Sequence, residues 1–403
     1  MTPSTVPGII AWPLIVFMTA VLIGRYRWCN HNLYEKYFNR TLTFLLVAQI
    51  LREHLVQNIL VGTAFMTSPG MWQLGSAALA YSFTEFIGFT LLWSGNSEVD
   101  TRRKHRYYRV ASVFFAAGLF ISGSRARLNS VSFELMHGWG SMVNLSCMTA
   151  MLLVLATQVI RNSLRELHRL SRRRERWVAL NTLSMGIVGV GIVLHEFVLH
   201  TLDQLGWTNT AAYRQETHQF GLFFAISAPF VVAAVPLAMK LICSLGLDPI
   251  SRSWCQLQPL RQAMRAVAPE CIFGFADEPG RGKSALQLHH TVIEIRDAIL
   301  RLRPYVRAIP AHDLSCFLGG PNAVPPRDHG SALAALRLVY AARAKAAGST
   351  VDDHLDVDSA AIVASRAATL EEEAAELIRL AKWWPTACAA TESAANTKAS
   401  SAI

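Results

Sequence analysis

RRRERWVALNTLSMGIVGVGIVLHEFVLH, residues 172–200, decides the fold class. It opens with Arg172, Arg173, Arg174 and Arg176, then runs from Trp177 to Leu194 without a charge. A bilayer's hydrocarbon layer needs about 20 mostly apolar helical residues to cross it. Residues 177–201 meet that length, and Ser184, Gly186, Gly189 and Gly191 would let neighbouring helices approach closely. The last six residues, HEFVLH, come close to the helical zinc pattern H-E-x-x-H. The second histidine is one residue late. Helical residues advance by about 100° each, so His195 and His200 lie about 140° apart and share no metal face. Glu196 and His200 form the i,i+4 pair instead, and no second protease motif follows.

Working outward, six more segments have the length and apolarity of spans: 7–24, 41–62, 71–93, 109–124, 137–160 and 219–245. Alternate loops are basic. Loop 25–40 holds Arg25, Arg27, Lys36 and Arg40; loop 94–109 holds Arg102, Arg103, Lys104, Arg106 and Arg109; loop 161–176 holds seven arginines. The intervening loops carry none in 63–70, Arg125 and Arg127 in 125–136, and Arg214 in 202–218. Cytoplasmic loops are the ones enriched in Lys and Arg, so the N-terminus is expected outside and the C-terminus inside. The opening MTPSTVPG has no positive charge, the reverse of a secretory signal. Composition agrees: 52% of residues are hydrophobic and 16% charged, against about 25% charged in soluble domains. The net charge of +10 suits an anionic inner leaflet. No compact basic domain with interleaved aromatics suggests nucleic acid. The seven cysteines form no C-x-x-C pair and lie outside the outer loops, as free thiols in a reducing compartment would.

Ionisable side chains inside a span are costly and mark an interior or a water-filled site. In the second span LREHLVQN places Arg52 and Glu53 near the centre, with His54 beside them. Glu85 lies in the third span, toward the cytoplasm. Arg52 is expected to pair with Glu85 or Glu53, either to lock two helices or to line a solute or proton pathway. A second group faces outward: His137, His195, Glu196, His200 and His218. It reads either as interfacial histidines facing headgroups and water or as a pH-sensitive or metal-binding site. No ligand set with metal spacing is present, and no cofactor is expected.

From residue 246 the composition changes. SRSWCQLQPLRQAMRAVAPE reads as an amphipathic helix ending near Pro269. LHHTVIEIRDAILRLRPY puts Leu288, Val292, Ile295, Ile299 and Leu302 on one helical face, and Pro304 stops it. The proline-bearing stretch 304–330 reads as loop. SALAALRLVYAARAKAAG is a third helix, STVDDHLDVD an acidic connector, and a fourth helix covers about 359–384. Residues 386–403 read as disordered. PGRGKS lacks the first glycine of a phosphate loop, since position 277 is Asp277. HLDVDSA lacks the glycine and closing glutamate of a calcium loop. The chain thus divides into a seven-helix transmembrane bundle (1–245), a small helical cytoplasmic domain (246–385) and a tail. The fold class is all-α, polytopic membrane protein.

The runs TVIEIRDAILRLRPYV and SWCQLQPLRQAMRAVAPE resemble the tail of a family of actinobacterial multi-pass membrane proteins. These have a C-terminal domain of unknown function and are grouped as candidate transporters. The resemblance implies a bacterial plasma membrane, no known cofactor and no established catalytic residues. Two functions remain open. One is a receptor-like or regulatory protein in which the bundle acts on a cytoplasmic partner through 246–385. The other is transport of a small solute or protons. An enzyme is not expected, because no nucleophile–base–orienter set is found. The sequence leaves self-association open.

Overall fold

The structure is a computed structural model that describes residues 5–63, 66–129, 138–169, 173–272, 282–319, 324–348 and 367–400. The chain divides into two compact units, Met1–Ala238 and Met239–Ile403. Among the described residues both are helical, and no strand occurs.

The first unit is built from α1 (Gly8–Trp28), α2 (Leu33–Arg52), α3 (His54–Gly62), α4 (Ser68–Trp93), α5 (Glu98–Ser122), α6 (Ser124–Asn129), α7 (Trp139–Arg169), α8 (Arg173–Gln204) and most of α9 (Ala211–Ser244). Polar caps start several of them. Asn32 accepts the Glu35 N–H, Thr67 the Gly70 N–H and Ser97 the Asp100 N–H. α2 ends at an extended Glu53, and α3 leaves it bent by 68°.

Four stretches are long and apolar enough to cross a membrane: Gly8–Trp28, Trp139–Arg169, Glu175–Gln204 and Ala211–Val267. The bent pair Leu33–Arg52 and His54–Gly62 makes a fifth if it counts as one. By length and composition, then, the seven expected spans come down to four or five. The physical reason lies in α4 and α5. α4 is packed among its neighbours and buries Gln73, Ser76, Ser82, Thr84, Glu85 and Thr90. α5 spends its first three turns on EVDTRRKHRYYR.

Helix packing in this unit follows small residues. α2 and α4 run antiparallel. Gly75 lies against Ala48 and Arg52, and a Cβ on Gly88 would meet the Tyr37 ring at 2.8 Å. α7 and α8 touch where the sequence places glycines. A Cβ on Gly186 would lie 2.7 Å from Ile160 and one on Gly189 3.3 Å from Ala156, whereas Gly191 faces open space. An apolar layer of Ile15, Met18, Leu42, Leu45, Leu46, Leu79, Ile226 and Phe230 fills the middle.

The second unit holds α10 (Pro249–Val267), α11 (Ala285–Leu302), α12 (Ala311–Gly319), α13 (His329–Ala346) and α14 (Leu370–Ser400). All five residues of the expected α11 face, Leu288 to Leu302, are buried. They pack with Leu257, Leu260 and Met264 of α10, Leu336 and Val339 of α13, and Leu377 and Trp384 of α14. α10 and α11 run parallel, since the Lys283 N–H bonds Ser251 and Arg261 bonds Glu294 at a near-constant offset. The stretch read as loop, 304–330, contains α12, whose Phe317 is buried in the core. α14 continues to Ser400, through residues assigned from sequence to a disordered tail. The acidic connector 349–358 and Asp277 lie outside the described residues.

Candidate functional site

The polar residues of the first unit gather into two clusters. One centres on Glu85 of α4, which is 1% exposed. Arg109 of α5 grips it with both prongs, Nε to Oε1 at 2.7 Å and Nη2 to Oε2 at 2.9 Å. Arg40 of α2 lies 3.9 Å from Oε2. His105 Nε2 is 4.0 Å from Oε1 and 2.9 Å from the Thr84 carbonyl. A carbonyl only accepts, so that nitrogen carries the proton. Tyr37 meets the His105 ring edge-on at 4.6 Å.

The expected Arg52–Glu85 pair is therefore corrected. In the antiparallel register set by Gly75 against Arg52 and Gly88 against Tyr37, the α2 residue level with Glu85 is Arg40. Arg52 is twelve positions further along, about 18 Å at 1.5 Å per residue. It donates instead to the His218 carbonyl of α9. Glu53 does not pair with it in its place. It sits at the α2–α3 break, 3% exposed, and its Oε2 has no hydrogen-bond partner. His54 is exposed and contacts Asn58 through Nδ1 at 3.0 Å.

The other cluster, which holds residues expected to face outward, joins α7, α8 and α9. His200 is fully buried between Arg214, whose Nη1 is 2.7 Å from Nδ1, and Ser141, whose Oγ is 2.7 Å from Nε2. A guanidinium only donates, so Nδ1 accepts and Nε2–H points at Ser141. Ser141 Oγ in turn donates to the Gly138 carbonyl and accepts from Gln204. Arg214 also binds Asp203 at 2.9 Å, and Asp203 accepts from Thr208 and Thr210. One turn back along α8, Glu196 Oε1 lies 3.5 Å from His218 Nε2, while Glu196 Oε2 is buried without a partner.

Of the outward group, the structure brings Glu196 and His218 together and places His200 in the adjoining network. Glu196 pairs with His218, not with His200 as the i,i+4 spacing suggested. His195 is exposed, 6.2 Å from the Tyr213 ring. His137 lies outside the described residues. Sequence reasoning missed Arg214, Asp203, Ser141 and Gln204. Arg214 was counted only as a loop charge. The signal that could have found it is Asp203 followed closely by Thr208 and Thr210, a carboxylate with nearby hydroxyls across a short turn.

Arg52 and His218 also line a small cavity with Trp72, Ser76, Leu79 and Met148, with room for about one water. Among the described residues no group of three or more His, Cys, Asp or Glu could hold a metal ion.

No curated protein and no solved structure matches the chain. A family model matches in the second unit, over residues 247–387 or roughly a third of the sequence, and its description assigns no activity. It contains both runs, SWCQLQPLRQAMRAVAPE and TVIEIRDAILRLRPYV, on which the family resemblance rested. The chain carries at residues 247–387 a domain of the family of unknown function DUF6545.

Proposed function

We propose that this is an integral plasma-membrane protein of seven spans, receptor-like or regulatory, in which an outward-facing polar site acts on the helical cytoplasmic domain. The observation that carries the reading is the separation of the two polar clusters by a packed apolar layer. Leu42, Leu45, Leu46, Leu79, Ile226 and Phe230 lie between them on α2, α4 and α9, and Gln49, Ser82 and Ser227 are isolated polar side chains buried at that level. A transport route needs a continuous polar lining, and a sensor needs a closed site. The outer cluster suits the second, with its carboxylate–imidazole pair and room for about one water.

Membrane residence is supported by outward apolar faces beyond the four or five most apolar helices. On α5, Tyr107, Val110, Val113, Phe114 and Ile121 are exposed, and soluble monomers rarely expose such stripes. The alternating basic loops support a bacterial inner membrane with the N-terminus outside and the DUF6545 domain in the cytoplasm. That domain would meet a protein partner.

The pair Glu196–His218 is the proposed responsive element. Arg52, His195, Arg214, Asp203 and His200 are the charged or titratable groups around it. Hydrogen exchange of residues 249–346 in the full chain, reconstituted in vesicles, tests the coupling as the outer pH moves from about 8 to about 5, across the ordinary histidine range. The wild type is expected to change protection, and the His218→Gln variant to lose the change. Solute or proton uptake that survives deletion of 250–403 and stops with Glu85→Gln would overturn the reading.

Transport is the second reading. It is supported by the α2–α3 break at buried Glu53, because interrupted helices mark transporter sites and buried intramembrane carboxylates mark ion or proton pathways.

A further inference from the structure

Two helices of the first unit repeat one surface pattern. On α5 the exposed Arg106 is followed by exposed Val110, Val113 and Phe114 on the same helical side. On α2 the exposed Lys36 and Arg40 are followed by Val47. Each helix thus presents a basic step and then an apolar face. Buried Glu85 of α4 lies between them.

The charge count around Glu85 is unequal. One carboxylate faces two guanidinium groups. Arg109 is fixed by two hydrogen bonds, with its side chain about a third exposed. Arg40 is half-exposed, and 3.9 Å is too long for a hydrogen bond. His105 does not compete for the carboxylate, since its Nε2–H is directed at the Thr84 carbonyl. One positive charge is left over, on a planar fork open to the surroundings.

We propose that Arg40 and Arg109, positioned by Glu85, bind the phosphate of an anionic phospholipid headgroup in the inner leaflet, with the acyl chains along the apolar face of α5. An arginine fork matches two phosphate oxygens. Arg109 is already held in place, so binding orders little further. The inner leaflet supplies the anion. A zwitterionic headgroup brings an ammonium toward the same guanidinium groups and fits less well. This site shares with the proposed function only the seven-span orientation.

The test uses the full chain in phosphatidylcholine nanodiscs doped with phosphatidylglycerol, with retained lipid counted by native mass spectrometry after release into mild detergent. Wild-type protein is expected to retain phosphatidylglycerol about tenfold over phosphatidylcholine, the scale of one charge-assisted hydrogen-bonded contact. Arg40→Gln removes that preference. Arg40→Lys keeps the charge without the fork and loses part of it. Arg103→Gln, an exposed charge change on α5, leaves it intact. Equal retention of the two lipids overturns the proposal, as does an equal loss in Arg103→Gln, which means diffuse charge. Displacement of the lipid by inorganic phosphate also overturns it and assigns the site to a free anion. Both faces of a nanodisc are open, so the result does not depend on orientation. A reporter fused after residue 100 reads orientation separately.

Discussion

The two units place the same kinds of residue on opposite sides. In Met1–Ala238 the buried set includes Arg25, Asn39, Gln49, Arg52, Glu53, Gln73, Glu85, His200 and Arg214, while Ile9, Val16, Ile23, Val188 and Val232 face outward. In Met239–Ile403 the inside is mostly leucine, isoleucine, valine and alanine, with Met264, Phe317 and Trp384, and Glu294 with Arg261 is the main buried ion pair. Water explains the second pattern, because burying apolar area is what folds a small helical domain. It does not explain the first. Outward valines and inward arginines make sense when the surroundings are themselves apolar.

The strongest way to break this contrast is one substitution at two positions. Ile295 is 0% exposed in the core of the second unit. Ile295→Asp buries an unpaired carboxylate, and a loss of more than about 4 kcal/mol is expected. Trypsin should then cut freely within 249–346 of the full chain. Val188 is 59% exposed on α8. In water, Val188→Asp would change stability by no more than about 0.5 kcal/mol. Facing lipid, it should cost about 3 kcal/mol and reduce the fraction inserted in membranes. Normal insertion and melting of Val188→Asp would remove the contrast.

A second comparison sets two buried carboxylates side by side. Glu294 of α11 accepts from Arg261 at 2.8 Å and also from Arg265. Arg261 is only 5% exposed, so its guanidinium cannot swing out to water as easily. Glu294→Gln should therefore cost about 3–5 kcal/mol and lower the unfolding midpoint of the second unit by about 10 °C. Glu85→Gln should cost less, about 1–2 kcal/mol, because Arg109 and Arg40 are partly exposed and can turn their heads to the surface. Equal losses in calorimetry of the two variants would show that Glu85 is as enclosed as Glu294.

Much of this was legible in the sequence, for identifiable reasons. The α11 face could be read because Leu288, Val292, Ile295, Ile299 and Leu302 follow the helical period. The glycines of α8 announced a close contact, and Gly186 and Gly189 make it. Pairings were harder. The Arg52–Glu85 expectation failed because register between antiparallel helices depends on side-chain fit, here Gly88 against Tyr37, which no single-helix pattern contains. Arg109 and Arg214 were counted as loop charges, yet each turns inward to a carboxylate. α12 was hidden by the prolines around it, and a nine-residue helix is stable only when docked, here through Phe317 and the Asp313–Tyr340 bond.

That short helix supplies the mildest test, confined to the second unit. The Tyr340 hydroxyl of α13 donates to Asp313 of α12 at 2.7 Å. Burial, and then the Asp313 carboxylate, push the Tyr340 phenol up to about 12 from its ordinary value near 10. Between pH 10 and 12 the unfolded chain has released this proton and the folded chain still holds it. The stabilisation is therefore complete below pH 10 and is lost as pH rises toward 12. Tyr340→Phe should cost about 1 kcal/mol at neutral pH, the net value of one hydrogen bond. It should also flatten the alkaline limb of a denaturant-midpoint curve taken across that window. Wild-type and Tyr340→Phe curves that stay parallel from pH 9 to pH 12 would mean that Asp313 does not hold the phenol, and that α12 is docked by Phe317 alone.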